Sequence, residues 1–178
     1  MEDDVTDAIC LLGVRGRTLE IGGAAPGFAT GVVLEAAHRL GAGVTSLHFC
    51  HGDAMLHLER YRLLAERPLP RTGGFGAARV PYSVHHGPVW ALAAPTRGGF
   101  DAVFIDATGD DAARAAQLDR LHAVRHAHRL TSADGGRLVA LMARDDAELL
   151  PQVLLRPVAM QRRPSGAVVC LFVRAGAS

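Results

Sequence analysis

The chain contains no lysine and no asparagine, so all 19 of its basic residues are arginine. Without lysine, the protein cannot form a Schiff base through a lysine amine and cannot contain the Walker phosphate loop. Without asparagine, it has no acceptor for N-linked glycosylation. A basic set made only of arginine is also typical of a GC-rich bacterial genome.

Cysteine is scarce: Cys10, Cys50 and Cys170 are an odd set without a C-x-x-C pair. Such a set indicates neither a disulfide framework nor a zinc ribbon. The first residues are acidic where a secretory signal would be basic, and no apolar run approaches the roughly 20 residues of a membrane span. We therefore expect a cytoplasmic protein that has no membrane partner.

The net charge is close to zero, because the 19 arginines face 18 acidic residues. Nucleic acids and anionic membranes attract strongly basic surfaces, so this balance predicts no nucleic-acid partner. Apolar residues make up 49% of the chain and charged residues 21%, as in an ordinary folded domain. Residues 1–178 are expected to form one domain, with a helical extension over residues 1–17 and a flexible loop over residues 67–78.

Strand-like and helix-like segments alternate along the chain and are separated by short turn segments that contain Gly, Pro and Asp. Strands are predicted over Thr18–Ile21, Val44–Phe49, Arg79–Val84, Phe100–Ile105, Leu138–Met142, Val153–Met160 and Ala167–Val173. Helices are predicted over Phe28–Leu40, Asp53–Glu66, Asp110 or Asp111 to Leu130, and Asp145–Leu150. The pattern predicts an α/β fold: a Rossmann-like, seven-stranded, mostly parallel sheet with an antiparallel last strand and helices on both faces.

The core of this sheet should contain apolar residues from most of the strands and from the first long helix. We expect it to include Ile21, Val33, Leu47, Val103, Ile105, Leu138, Leu141, Val169 and Leu171. Pro81 weakens the third strand, which is therefore expected near a sheet edge or at a bulge.

A glycine-rich turn follows the first strand, from Gly22 to Gly27, and leads into a helix. Glycines allow a close backbone approach, and a helix N-terminus offers free amides to a polar or anionic ligand group. The same pattern also serves as a tight turn that packs a helix on a sheet without any ligand. The βαβ context favours the ligand-binding interpretation.

This segment resembles the nucleotide motif of class I S-adenosylmethionine-dependent methyltransferases, and more closely their spermidine synthase (aminopropyltransferase) branch. That branch has Ile-Gly-Gly-Gly-Asp-Gly-Gly where this chain has Ile-Gly-Gly-Ala-Ala-Pro-Gly at residues 21–27. Its second-strand motif lies over residues 44–50, its Asp-Gly lies over His86-Gly87, and its fourth-strand motif lies over Phe100–Asp106. The resemblance covers residues 18–174 and implies S-adenosylmethionine or a related adenosyl ligand as cofactor.

Carried over residue by residue, the resemblance implies a set of cofactor-binding residues. These are Glu20, Gly22, Gly23, Gly27, His48, His86 and Gly87. His48 and His86 replace two acids of the family, one that binds the ribose hydroxyls and one that binds the adenine amino group. A carboxylate accepts two hydrogen bonds where a neutral imidazole accepts one, and each lost charged hydrogen bond costs roughly 1–3 kcal/mol. The fold is thus implied more firmly than the cofactor.

Asp106 ends the most apolar strand, and the resemblance implies that it is the catalytic residue. In aminopropyltransferases the matching Asp deprotonates the attacking amine. Alternatively, its carboxylate caps the next helix through the amides of Thr108 or Gly109.

The histidines allow a metal hypothesis, because His48, Cys50, His51 and His57 are close in sequence and could meet His85 and His86. Their spacing matches no zinc pattern, so we predict no metal and interpret them as polar residues at the rim of the crevice.

Three functions remain open. The first is a small-molecule transferase of the methyltransferase or spermidine synthase type. The second is a repurposed, non-catalytic member of the fold that has lost the cofactor. The third is a histidine- or metal-dependent enzyme on the same scaffold. Only about 17 residues precede the first strand, too few for the β domain that encloses the polyamine in aminopropyltransferases, so aminopropyl transfer itself is disfavoured. A homodimer is expected to cover the exposed site.

Overall fold

The computed structural model describes residues 2–13, 15–22, 43–51, 80–93, 95, 98–108 and 114–175. The strands are β1 (Gly16–Gly22), β2 (Val44–His51), β3 (Tyr82–His86), β4 (Ala102–Ala107), β5 (Arg137–Ala143), β6 (Ala159–Arg162) and β7 (Ala167–Val173). The described helices are α1 (Glu2–Leu12), α2 (Arg114–Leu130) and α3 (Arg144–Glu148), with 3-10 turns at Val89–Ala91 and Leu150–Val153. None of these helices is long and apolar enough to cross a membrane.

The seven strands form one sheet in the order β3-β2-β1-β4-β5-β7-β6. The pairs from β3 through β5 are parallel, and β7 runs antiparallel to both β5 and β6. This confirms the predicted fold, including the reversed last strand. The chain order changes direction between β1 and β4, and in open α/β sheets a crevice forms outside the carboxyl ends of the strands at such a point.

Each face of the sheet buries its own apolar cluster. On one face α1 packs on β4, β5 and β7, and on the other α2 packs on β4 and β5. The predicted core residues that are buried are Ile21, Leu47, Val103, Ile105, Leu138, Leu141 and Val169. Leu171 is only half-buried, because it lies on β7 opposite the exposed strand β6. Val33 lies outside the described residues.

Two element boundaries depart from the prediction for reasons of backbone chemistry. The predicted strand Val153–Met160 is wrong over its first half, where Leu150–Val153 forms a 3-10 turn and Leu154 adopts a left-handed φ of 59°. Pro157 cannot donate a ladder hydrogen bond, so pairing starts only after it. The third strand, predicted over Arg79–Val84, begins only after Pro81 and runs to His86. It lies at the sheet edge, as predicted.

Other predicted segments coincide only partly with the described residues. The helices Phe28–Leu40 and Asp53–Glu66 and the loop over residues 67–78 lie outside them. α1 occupies most of the predicted extension over residues 1–17. Arg163, in the turn between β6 and β7, forms ion pairs with Asp4 and Asp7 of α1. These contacts tie the first helix to the last hairpin.

A buried ion pair joins α2 to α3. The carboxylate of Asp146, whose side chain is 1% exposed, accepts hydrogen bonds from Arg120 Nε at 2.6 Å and Nη2 at 3.3 Å. A carboxylate removed from water in this way needs such a charged donor, because an uncompensated buried charge is costly. The pair therefore fixes α3 against α2, next to the carboxyl edge of the sheet.

Replacement of Asp146 by alanine should destabilise the protein by about 3 kcal/mol, because it leaves the half-buried Arg120 guanidinium without the carboxylate that accepts these two hydrogen bonds. Urea denaturation followed by circular dichroism would measure the change. Asp145→Ala is the matched control, because Asp145 is an exposed neighbour on the same helix. Equal stability losses for the two variants would contradict this role for the pair.

Candidate functional site

The carboxyl ends of β1, β2 and β4 meet at one edge of the sheet. Ile21 is in register with Cys50 of β2, and Gly22 is in register with Asp106 of β4. A cavity of about 220 Å³ opens at this edge, and its lining includes Gly22, Cys50, Asp106 and Arg120. The edge therefore combines a backbone surface, a thiol, a carboxylate and a guanidinium around one space.

Gly22 is required by the geometry of this edge. Its φ is +75°, and a Cβ atom at this position would lie 2.9 Å from the carbonyl oxygen of Asp106. The positive φ strains the backbone of any residue with an L side chain, and the short Cβ–oxygen distance would force β1 and β4 apart. Only glycine satisfies both conditions, so the first glycine of the predicted motif has a structural reason to be there.

Asp106 lines this cavity and is half-buried. Its Oδ1 accepts hydrogen bonds from the Thr108 amide at 3.0 Å and from Thr108 Oγ1 at 2.6 Å. The Thr108 amide is thus one of the two amides named in the capping alternative, although the start of the next helix lies outside the described residues. These two bonds also fix the carboxylate in place, which a group that handles a proton at the cavity requires.

A second cavity of about 310 Å³ adjoins the first, with Cys50, Gly87 and Pro88 lining both. His86 and His85 line only the second cavity, and His86 is exposed. The predicted cofactor residues Gly22 and Gly87, together with Asp106, thus line the first cavity, whereas His86 lines the adjoining second cavity.

His48 is not brought to this edge. It is in register with Leu19, two residues before Cys50, and it lines neither of these two cavities. Its imidazole lies on the sheet face between Ser46 Oγ, at 2.9 Å from Nε2, and Ser83 Oγ, at 2.6 Å from Nδ1. The expectation that His48 and His86 share a pocket with Gly22 and Asp106 is therefore wrong.

The residue that does occupy the cavity at the end of β2 is Cys50. It is 3% exposed, and its Sγ donates a 3.6 Å hydrogen bond to the Gly87 carbonyl. Sequence reasoning missed Cys50 because it ended the second strand too early. β2 runs two residues beyond the predicted Phe49, to His51. A shift of two residues keeps the same sheet face, so alternation alone could not reveal the error.

The remaining predicted residues fall in different places. Glu20 is buried at 1% exposure and alternates away from Leu19 and Ile21, towards the opposite face of the sheet. Gly23 and Gly27 lie outside the described residues, as does His57. Within the described part of the chain, no three His, Cys, Asp or Glu side chains are grouped closely enough to hold a metal ion.

Comparison with protein-family models gives no match, and comparison with curated protein sequences gives none either. Solved structures do match. TrmN from Thermus thermophilus is 16% identical with a TM-score of 0.62, over 96% of this chain and 48% of TrmN. The ribosomal protein L11 methylase from Lactobacillus delbrueckii subsp. bulgaricus is 13% identical with a TM-score of 0.63, over 97% of this chain and 79% of that chain.

An rRNA methylase from Streptococcus thermophilus matches over nearly its whole length, with 11% identity, a TM-score of 0.57, and coverage of 97% of this chain and 96% of that chain. The chain therefore has the fold of class I S-adenosylmethionine-dependent methyltransferases. The resemblance to the spermidine synthase branch gains no support from these structures.

These structures contradict the prediction that nucleic acid is excluded as a partner, because an rRNA methylase shares the fold at nearly the same length. The physical reason is that net charge averages over the whole surface, whereas phosphate binding depends on a few well-placed arginines. The expected small-molecule substrate gains no support either.

Gly22→Ala should cost more stability than Gly43→Ala, and the difference should be about 1–3 kcal/mol. Gly43 has a similar φ of +83°, but a Cβ there meets nothing within 4 Å. Both variants pay the left-handed backbone cost, so the difference isolates the contact with the Asp106 carbonyl. Denaturant unfolding measures both, and equal losses would show that β1 and β4 can separate freely.

Proposed function

We propose that the protein binds S-adenosylmethionine at the carboxyl edge of the sheet and is a methyltransferase. The observation that carries the proposal is the cavity that opens beyond the paired ends of β1 and β4, lined by Gly22 and Asp106, at the point where the strand order reverses. Ligands of open α/β sheets bind at this point. The shared fold supports the same assignment.

The residues at this edge fit an adenosyl ligand in part. Gly22 presents only backbone to the first cavity, and the two adjoining cavities give room for an elongated molecule. At the end of β2 this cavity is lined by the thiol of Cys50, which is a weak acceptor, and not by a carboxylate that could accept bonds from ribose hydroxyls. We therefore expect binding that is weaker than in a site with a carboxylate at this position.

The cofactor would supply a methyl group bonded to a positively charged sulfur. A substrate nucleophile that attacks this methyl group loses a proton as the new bond forms. The Asp106 carboxylate, oriented by Thr108, is the group at the cavity that can accept this proton. Arg120 lines the same cavity and, held by Asp146, places a positive charge beside it that would favour an anionic part of the substrate. RNA is the first substrate class to assay, given the rRNA methylase among the similar structures.

Isothermal titration calorimetry with S-adenosylmethionine and S-adenosylhomocysteine tests the binding step. The wild type should bind weakly, and Cys50→Asp should bind about tenfold more tightly, because a hydrogen bond to a charged group contributes about 1.5–3 kcal/mol. Cys50→Ser is the matched control, since a neutral hydroxyl gives no such gain. Absence of binding by the wild type would overturn the proposal, even if Cys50→Asp binds.

Asp106→Asn separates binding from proton transfer. The amide keeps the shape of the side chain and can still bond Thr108, but it cannot take up a proton. Binding by calorimetry should change little, while transfer of labelled methyl to RNA should fall by about 100-fold or more. Unchanged methyl transfer in this variant would remove Asp106 from the reaction.

A further inference from the structure

Four polar side chains form a continuous hydrogen-bonded chain on one face of β2 and β3. Ser46 Oγ lies 2.9 Å from His48 Nε2, His48 Nδ1 lies 2.6 Å from Ser83 Oγ, and Ser83 Oγ lies 3.2 Å from His85 Nε2. Ser83, His48 and His85 are each half-buried. The methyl-transfer proposal assigns no role to any of the four.

One order of donors that satisfies this chain with both imidazoles neutral also places a base next to the Ser83 hydroxyl. If His48 carries its hydrogen on Nε2, it donates to Ser46 Oγ, and its Nδ1 accepts the hydroxyl hydrogen of Ser83. His85 Nε2 then donates to the Ser83 oxygen. In each of these hydrogen bonds a donor then faces an acceptor, so all the bonds can form at the same time.

This is the arrangement of an activated nucleophile. A serine is activated when a base lies within hydrogen-bond reach of its hydroxyl and a third group orients that base. Ser83, His48 and Ser46 fulfil these three conditions at 2.6 Å and 2.9 Å. His85 adds a donor beside the nucleophile, where charge develops on an attacked carbonyl oxygen.

We propose that Ser83 is a reactive nucleophile with His48 as its general base, in a second site that takes small carboxylic esters. Ser46 orients His48, and His85 donates to the developing oxyanion. The reacting side chains are distinct from those of the methyl-transfer site, because Gly22 and Asp106 are not among them, but the two sites share the cavity of about 310 Å³.

The electrostatic environment keeps His48 ready to accept a proton. Burial, with smaller contributions from His85 of β3 and Arg17 of β1, lowers the pKa of His48 below its usual 6.5. Arg17 itself faces Asp101, with 3.9 Å between Nε and Oδ2. His48 is therefore neutral at pH 7, with its Nδ1 lone pair available to Ser83.

The reaction balances without any further reagent than water. Ser83 Oγ bonds to the ester carbonyl carbon while its proton passes to His48 Nδ1. The bond between that carbon and the alcohol oxygen then breaks, and the alcohol leaves with the proton from His48. Water attacks the acyl-serine, its proton passes through His48, and the acid and free Ser83 are released.

The neighbouring cavity indicates the size of the acyl group. His85, whose Nε2 lies 3.2 Å from Ser83 Oγ, lines the space of about 310 Å³, which is also lined by Pro88, Ala91 and Leu92. The apolar part of this lining favours a short aliphatic acyl chain over a charged one.

A fluorophosphonate probe tests the nucleophile directly. Ser83 Oγ should bond to phosphorus as fluoride leaves, and intact-mass and peptide mass spectrometry should place one adduct on Ser83. Ser83→Ala should abolish the adduct, while Ser165→Ala should leave it unchanged, because Ser165 is an exposed serine in the β6–β7 turn. An unlabelled wild type, or an adduct on another residue, would overturn the proposal.

Two further variants and a pH profile separate base catalysis from simple exposure. His48→Gln can still bond both hydroxyls but cannot take up a proton, so the labelling rate should fall by about 100-fold. Ser46→Ala should slow labelling by less, since it removes only the orienting contact. Circular dichroism checks that both variants fold.

In the wild type, the labelling rate should rise with pH and reach half its maximum below pH 6.5, because only neutral His48 accepts the proton. This measurement stands even if His48→Gln does not fold. A rate that keeps rising through pH 9 would show uncatalysed reaction of a surface hydroxyl and would overturn the role of His48.

Discussion

The contact between the Gly22 backbone and the carbonyl of Asp106 determines the geometry of the carboxyl edge. Because no side chain separates them, β1 stays in register with β4 to its last residue, Gly22, and the cavity opens beyond this contact. Cys50 reaches this cavity through its register with Ile21, and Arg120 reaches it from α2. Strand pairing thus positions Gly22, Cys50 and Asp106 at this cavity, and α2 adds Arg120.

The fold could be predicted from the sequence because, in most segments, the spacing of the apolar residues and the position of the Gly, Pro and Asp residues indicate the same secondary-structure element. β7 was predicted at its observed bounds, since an apolar run follows a turn containing Pro164 and Gly166. β6 was mispredicted because Val153 and Leu155 are buried without being in a strand, and apolar character alone does not distinguish the two cases. Long-range packing determines whether such a buried segment forms a strand, and the local sequence pattern carries no information about that packing.

The candidate site was predictable only where backbone geometry dictates a residue type. Gly22 and Asp106 follow from a strand that ends in a tight turn and a buried strand that ends in an acid. His48 and Cys50 lie on the same face of β2, and the choice between them depends on where the strand stops. That end point is set by pairing with β1 and β3, which is a tertiary property.

The ion pairs from Arg163 to Asp4 and Asp7 connect opposite ends of the sequence. α1 packs on β4, β5 and β7, so the first helix covers a surface that much later strands create. During synthesis on the ribosome, α1 therefore emerges long before its binding surface exists. Contacts of such sequence separation slow folding, and the apolar face of α1 stays exposed in the nascent chain until these strands have been synthesised.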